Sequence, residues 1–203
     1  DSVTFYMNQK HKVRLFDYDG TFEDSISSMD SIRYMVKFMH TAFVAMEPQT
    51  GHVKAWVGDI DFKTWKYDKV TANRQPGSTF KLFVYTTAMN SGLAPCDRRV
   101  DSYIQLDVTG RDGKPEKWAP HNANGYFTGD SMTLKSAFAQ SINSVAVKLG
   151  LETGIHNVIE TAHKMGIKSK LDNTPSLSLG SSDVNLLELV DAYCTIANDG
   201  RQH

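Results

Sequence analysis

The spacing of apolar and polar residues changes period several times along the chain, and those changes mark out its elements. Residues 13–16 read as a short strand that ends in the acidic turn Asp17-Tyr18-Asp19-Gly20. Residues 31–39 then place Ile32, Met35, Val36 and Met39 at helical spacing. From residue 42 the pattern tightens. Residues 42–46 and 53–57 are two strand-like runs, and Glu47-Pro48-Gln49-Thr50-Gly51 between them has the Pro and Gly of a turn, so a β-hairpin is expected. Arg74-Gln75-Pro76-Gly77 breaks structure. Residues 78–89 follow as a helix that opens on Ser78 and closes at Ser91-Gly92. Its apolar residues (Phe80, Leu82, Phe83, Val84, Ala88, Met89) point in several directions, so the helix is expected at the centre of a core.

Residues 95–130 are rich in Gly, Pro, Asp and Asn and read as loop, with one strand near 103–108. The rest is helical: one helix opening at Thr133 and running toward Gln140, one over 144–149, one over 154–165 stopped by Gly166, and one over 186–197 stopped by Gly200. Strands come early and helices late, so the fold class is α+β.

Composition adjusts this picture little. The 203 residues are 40% hydrophobic and 22% charged, the balance of a globular chain. With 22 basic against 23 acidic residues the net charge is -1, which gives no basic excess for nucleic acid. No apolar run approaches the roughly 18 residues of a membrane span. The first residue is Asp rather than Met, so a piece of a longer protein is expected, and the missing anchor carries no weight. Cys96 and Cys194 form no C-x-x-C pair, are expected as semi-buried thiols, and do not indicate a disulfide framework. His156 and His163 share one predicted helix without zinc-ligand spacing, so neither metal nor cofactor is expected.

The candidate chemistry lies in Ser78-Thr79-Phe80-Lys81. Three-residue spacing puts Ser78 and Lys81 on one helical face, where their side chains are expected to touch. A serine hydroxyl needs a neighbouring base, and a lysine serves once burial lowers its pKa. The helix start adds backbone N–H donors suited to an oxyanion. A bare S-x-x-K is also what a surface helix with an N-cap serine looks like. Here Pro76-Gly77 forces a sharp turn before the serine, and the helix behind it is apolar. Ser141-Ile142-Asn143 is the second feature: from a turn both polar side chains can face one cleft, Ser141 as proton relay and Asn143 as an amide-binding group, although Asn143 could equally cap the next helix. The segments Trp118-Ala119-Pro120-His121-Asn122 and Ser176-Leu177-Ser178-Leu179-Gly180-Ser181 could line a pocket.

Taken in order, Arg74–Lys81 with Ser141-Ile142-Asn143 about 60 residues later, the 43–58 hairpin, Trp118–Asn122, Thr133-Leu134-Lys135 and Ser178–Ser181 resemble the transpeptidase domain of class A penicillin-binding proteins. The resemblance runs from about residue 13 to the C-terminus. It implies a helical subdomain around a central active-site helix plus part of an antiparallel sheet, with residues 1–40 a linker segment and 41–203 a partial transpeptidase domain. It further implies that Ser78 is acylated by the D-Ala-D-Ala end of a peptidoglycan stem peptide, that Lys81 activates it, that Ser141 moves protons and that Asn143 holds the donor peptide. β-Lactams would acylate the same serine. An N-terminal glycosyltransferase domain and membrane anchor, on the periplasmic face of the inner membrane, belong to the same expectation. Two departures stand out. Leu82 occupies a position where the family often has proline, and no K-[ST]-G string occurs among the 203 residues, so slow or absent turnover is expected.

Three other readings of these motifs stand beside this one. Asp17-Tyr18-Asp19-Gly20-Thr21 matches the D-x-D-G-T loop of haloacid-dehalogenase phosphatases, where the first Asp attacks phosphate beside Mg²⁺. That fold needs βαβ units, which the pattern downstream lacks. A β-lactam sensor or inactive relative that keeps the S-x-x-K serine is the non-enzymatic alternative. A β-lactamase lacks a glutamate placed by motif to activate a deacylating water.

Overall fold

The computed structural model describes residues 2–110 and 113–203. After a one-turn helix α1 (Ser2–Met7), strands β1 (Lys10–Asp17) and β2 (Gly20–Ser27) form a long antiparallel hairpin joined by Tyr18-Asp19. Sequence patterning finds only the 13–16 part of it. The reason is that both strands are mostly exposed and opposite polar residues face each other, as Arg14 faces Glu23, so no apolar alternation marks them. Helix α2 (Ser28–Met35) starts three residues earlier than its apolar spacing predicts, because Ser27 accepts from the Asp30 N–H as N-cap. Tyr34 of α2 donates to Phe16 O, and Phe16, Phe38 and Trp65 stack edge-on or tilted at centroid distances of 4.7–5.7 Å. These aromatics make a small satellite core that joins the hairpin to the rest.

Asp17 and Asp19 therefore sit at a hairpin turn, where Asp17 Oδ1 accepts from the Tyr18 N–H at 2.7 Å. The pairing is antiparallel and, among the described residues, no βαβ unit surrounds it, which does not fit the phosphatase fold.

Strands β3 (Phe43–Met46) and β4 (Val53–Val57) form the expected hairpin, with a bulge between Ala45 and Met46. The 3-10 turn Gly77–Phe80 then runs straight into α3 (Lys81–Asn90). Short strands β5 (Arg98–Val100), β6 (Leu106–Thr109), β7 (Pro115–Trp118) and β8 (Ser131–Thr133) pair as β5–β8 and β6–β7. The loop expected over 95–130 thus holds more strand than its composition shows. Ladders of three or four residues are too short for an alternation to rise above turn-rich sequence.

Helices α4 (Leu134–Ala139), α5 (Asn143–Thr153), α6 (Ile155–Lys164), the 3-10 turn Pro175–Leu179 and α7 (Leu186–Ala197) complete the chain. Thr133 and Asn185 cap α4 and α7 through their side chains. The fold is α+β, as expected. Its core is built around α3, where Phe83, Val84 and Ala88 are fully buried against α4, α5 and α6. Burying a side chain such as Phe83 is worth about 1.5–3 kcal/mol, so α3 is held by packing on nearly every side. Cys194 is buried and Cys96 is exposed, which corrects the expectation that both are semi-buried. His163 Nδ1 lies 2.7 Å from Ile167 O at the end of α6.

Candidate active site

The turn that carries Ser78 is clamped from behind by backbone. Gly77 has φ +57°, and Gly180, with φ +75°, lies so close that a Cβ there would meet Gly77 N at 2.7 Å and Gly77 O closer still. Residue 180 must be glycine for the two turns to touch. Arg74 and Val184 exchange backbone hydrogen bonds at 2.9 and 3.0 Å, Gln75 donates to Ser181 O, and Tyr193 of α7 donates to Thr79 O at 2.8 Å. Ser78 emerges from this clamp exposed to solvent. It lies inside the 3-10 turn and does not cap the helix: the position before the turn is Pro76, with no side-chain cap.

Lys81, one turn on, is buried, with 1% of its surface exposed. Its Nζ donates to Ser141 O at 2.7 Å, to Ser141 Oγ at 2.9 Å and to Asn143 Oδ1 at 2.6 Å. An ammonium has three donors, so this cradle satisfies it completely, yet every acceptor is neutral. Burial without a carboxylate partner lowers its pKa from 10.5 to about 8. The side-chain contact expected between Ser78 and Lys81 is not a hydrogen bond in this arrangement. A buried ammonium needs three acceptors and a lone serine hydroxyl offers one, so the amine turns to the 141–143 turn.

That turn is itself strained. Ser141 has φ +55°, the left-handed region that a residue with a Cβ seldom adopts, at a cost of order 1 kcal/mol. It is held there by the Ile142 N–H donating to Ala137 O at 3.0 Å, with the Ile142 side chain buried in the core. Asn143 opens α5 but does not cap it. Its Oδ1 receives Lys81 and its Nδ2 donates to His121 O at 2.7 Å. The structure therefore brings Lys81, Ser141 and Asn143 into direct contact from positions 60 or more residues apart, with Ser78 on the same helix start.

Behind the turn lies a second set of buried polar residues. Asn122 Oδ1 accepts from the Asn143 and Ser144 N–H groups at 3.0 and 3.2 Å, so it caps α5 from another segment. Asn122 Nδ2 donates to Asp101 Oδ1 at 2.8 Å, and Ser144 Oγ donates to the same oxygen at 2.6 Å. Burial pushes the Asp101 carboxyl upward, but hydrogen bonds from Ser144, the Thr128 N–H and Asn122 outweigh it and hold the group below the ordinary carboxylate value. Asn122 was visible as part of a pocket-lining string, whereas Asp101 carried no signal. Trp118 from that string and Ser176 and Ser181 from the other line one groove of about 470 Å³, which takes no other residue of the 118–122 string.

Three comparisons bear on this site. Residues 41–202 match the family model described as the penicillin-binding protein transpeptidase domain. Penicillin-binding protein 2D of Bacillus subtilis is 37% identical over 165 residues, covering 81% of this chain and 23% of the relative. Penicillin-binding protein 1A of Rickettsia prowazekii is 38% identical over 162 residues, covering 79% of this chain and 20% of the relative. Among solved structures, penicillin-binding protein 1A of Haemophilus influenzae superposes with a TM-score of 0.72 at 27% identity, over 78% of this chain and 23% of that one. PonA1 of Mycobacterium tuberculosis in complex with penicillin V shares the fold, with a TM-score of 0.67 at 20% identity, over 100% of this chain and 55% of that one. The chain thus spans about a fifth of the length of the curated relatives it matches.

Proposed function

The chain belongs to the penicillin-binding protein transpeptidase family, on the side of its class A members, and from that membership we propose that it carries the acyl-transfer site of a peptidoglycan D,D-transpeptidase. Lys81 in its free-amine form takes the proton of Ser78 Oγ. The oxygen adds to the carbonyl of the penultimate D-alanine of a stem peptide, and the bond to the terminal D-alanine breaks. Ser141 relays a proton to the departing amine. An amine on a neighbouring strand then attacks the serine ester, which forms the cross-link and restores the hydroxyl. A β-lactam presents the same carbonyl in a strained ring, so opening that ring leaves the drug on Ser78. Asn143 is the substrate contact: its NH₂ has two N–H groups, one donated to His121 O and the other available to a peptide carbonyl. Backbone N–H groups at the start of the Ser78 turn suit the oxyanion.

The observation that best supports this reading is the buried, carboxylate-free Lys81 ammonium held by Ser141 and Asn143. An amine in such a cradle is poised to act as a base near neutral pH. From the same membership we place the full-length protein on the periplasmic face of the inner membrane, behind an anchor and a glycosyltransferase domain. Among the described residues no helix is long and apolar enough to cross a membrane. Intact-mass spectrometry with peptide mapping after incubation with penicillin is the test. One adduct on the Ser78 peptide, lost in Ser78→Ala, supports the proposal; an adduct that persists in Ser78→Ala refutes it.

A further inference from the structure

We propose that Asp101 and Asn122 are positioning residues that set the Lys81 cradle from behind α5. This rests on the acyl-transfer reading of Ser78 and Lys81, and it gives that site a support the family's sequence motifs do not name.

Asn122 is 5% exposed and uses both ends of its side chain: Nδ2 donates to Asp101 Oδ1 and to Tyr126 O, while Oδ1 accepts two N–H groups at the start of α5. An amide can rotate by half a turn and exchange its oxygen for its nitrogen. A carboxylate only accepts, so Asp101 forces the NH₂ of Asn122 toward itself and the oxygen toward the helix. Asp101 is held in turn by the Thr128 N–H at 2.9 Å, Thr128 Oγ1 at 3.2 Å and Ser144 Oγ. Were Asn122 reversed, its NH₂ would face the Asn143 and Ser144 N–H groups and leave both unpaired.

The same segment also fixes the Asn143 side chain. His121 O receives Asn143 Nδ2, which turns Asn143 Oδ1 toward Lys81 Nζ. Residues 121 and 122 therefore set both the backbone and the side chain of Asn143, and Asp101 sets residue 122. The chain of contacts runs from a buried carboxylate, through an amide of fixed orientation, to one of the three acceptors of the Lys81 amine. Lys148 of α5 is the other charged group beside Asp101, and it donates to Val100 O and Ser102 rather than to the cradle. No charged side chain contributes to the lowered Lys81 value, which has burial as its cause, so Asp101 acts through geometry and not through its field at Lys81.

The test is the titration of Lys81 itself, followed by ¹³Cε NMR of ¹³C-lysine-labelled protein, with the rate of labelling by a fluorescent penicillin measured alongside. Asp101→Asn lets the Asn122 amide reverse, and Asn122→Ala removes the cap outright; the second variant serves if the first does not fold. In both, Lys81 loses an acceptor that favours its charged form, and its midpoint is expected to fall by about one pH unit. Labelling is expected to drop at least about tenfold at saturating penicillin, because the lost interaction orients the base. Thr195→Val, which removes a buried hydrogen bond to Met165 O outside this chain of contacts, controls for stability and leaves the midpoint in place. Folded variants with an unmoved Lys81 midpoint overturn the proposal, as does a Thr195→Val shift of equal size. If the unaltered chain takes up no penicillin while the midpoints move as expected, the positioning role stands and the acyl-transfer reading fails, so the two are separable.

Discussion

Lys81 should lose its proton near pH 8 and not above pH 10, and the consequence for reactivity can be worked out. With the value lowered from 10.5 to about 8 by burial, about a tenth of the molecules carry the free amine at pH 7. An ordinary lysine would supply about 300-fold less base at that pH. Between pH 7 and 9 the free-amine fraction rises about tenfold, and serine acylation should rise with it. The ¹³Cε resonance of Lys81, assigned with Lys81→Met, should move with a midpoint close to 8, and the rate of fluorescent-penicillin labelling should follow the same curve. The sign for stability is fixed by the same numbers. From about pH 8 to 10.5 the unfolded chain holds a proton that the folded chain has lost, so this group makes folding more favourable as pH rises across that window, by up to about 3 kcal/mol. A Lys81 midpoint above 10, or labelling that is flat from pH 7 to 9, would refute the claim that the cradle creates a base.

The remaining expectations concern the scaffold. Gly180→Ala puts a Cβ into the Gly77 backbone at a left-handed φ and should cost at least about 2 kcal/mol, read as a lowered urea midpoint, with Ser78 labelling reduced as its turn is pushed outward. Phe83→Ala empties the centre of the core beneath α3 and should cost about 3–5 kcal/mol in the same assay. Asp59 is buried, which alone would raise its pKa, but His40, the Ile60 N–H and Lys69 hold it lowered, and Asp101 is lowered likewise. Their stabilisation is therefore present above the ordinary carboxylate value of 3.8 and is lost as pH falls through the lower folded values, so urea midpoints should decline steeply below about pH 4 and less so in His40→Ala.

Much of the scaffold was legible along the chain because its signals are local. The bounds of α7, with its Asn185 cap, and the hairpin of β3 and β4 follow from neighbours a few residues apart, where period, cap and turn chemistry act directly. So does the placing of Ser78 at a helix start, since Pro76 and Gly77 lie beside it. Most of the β1–β2 hairpin and the strands β5, β7 and β8 escaped, while β6 overlaps the strand expected near 103–108; a strand that buries little, or runs for three or four residues, leaves little alternation to read. At the site, residue types and spacing nominated Ser78, Lys81, Ser141 and Asn143, but the partners of Lys81 were decided by the fold. A buried ammonium takes whichever acceptors the packed chain delivers, and here these come from a strained turn 60 residues away. Asp101 and Asn122 make the same point more strongly: an aspartate in a loop resembles any other until tertiary packing removes its water and surrounds it with donors.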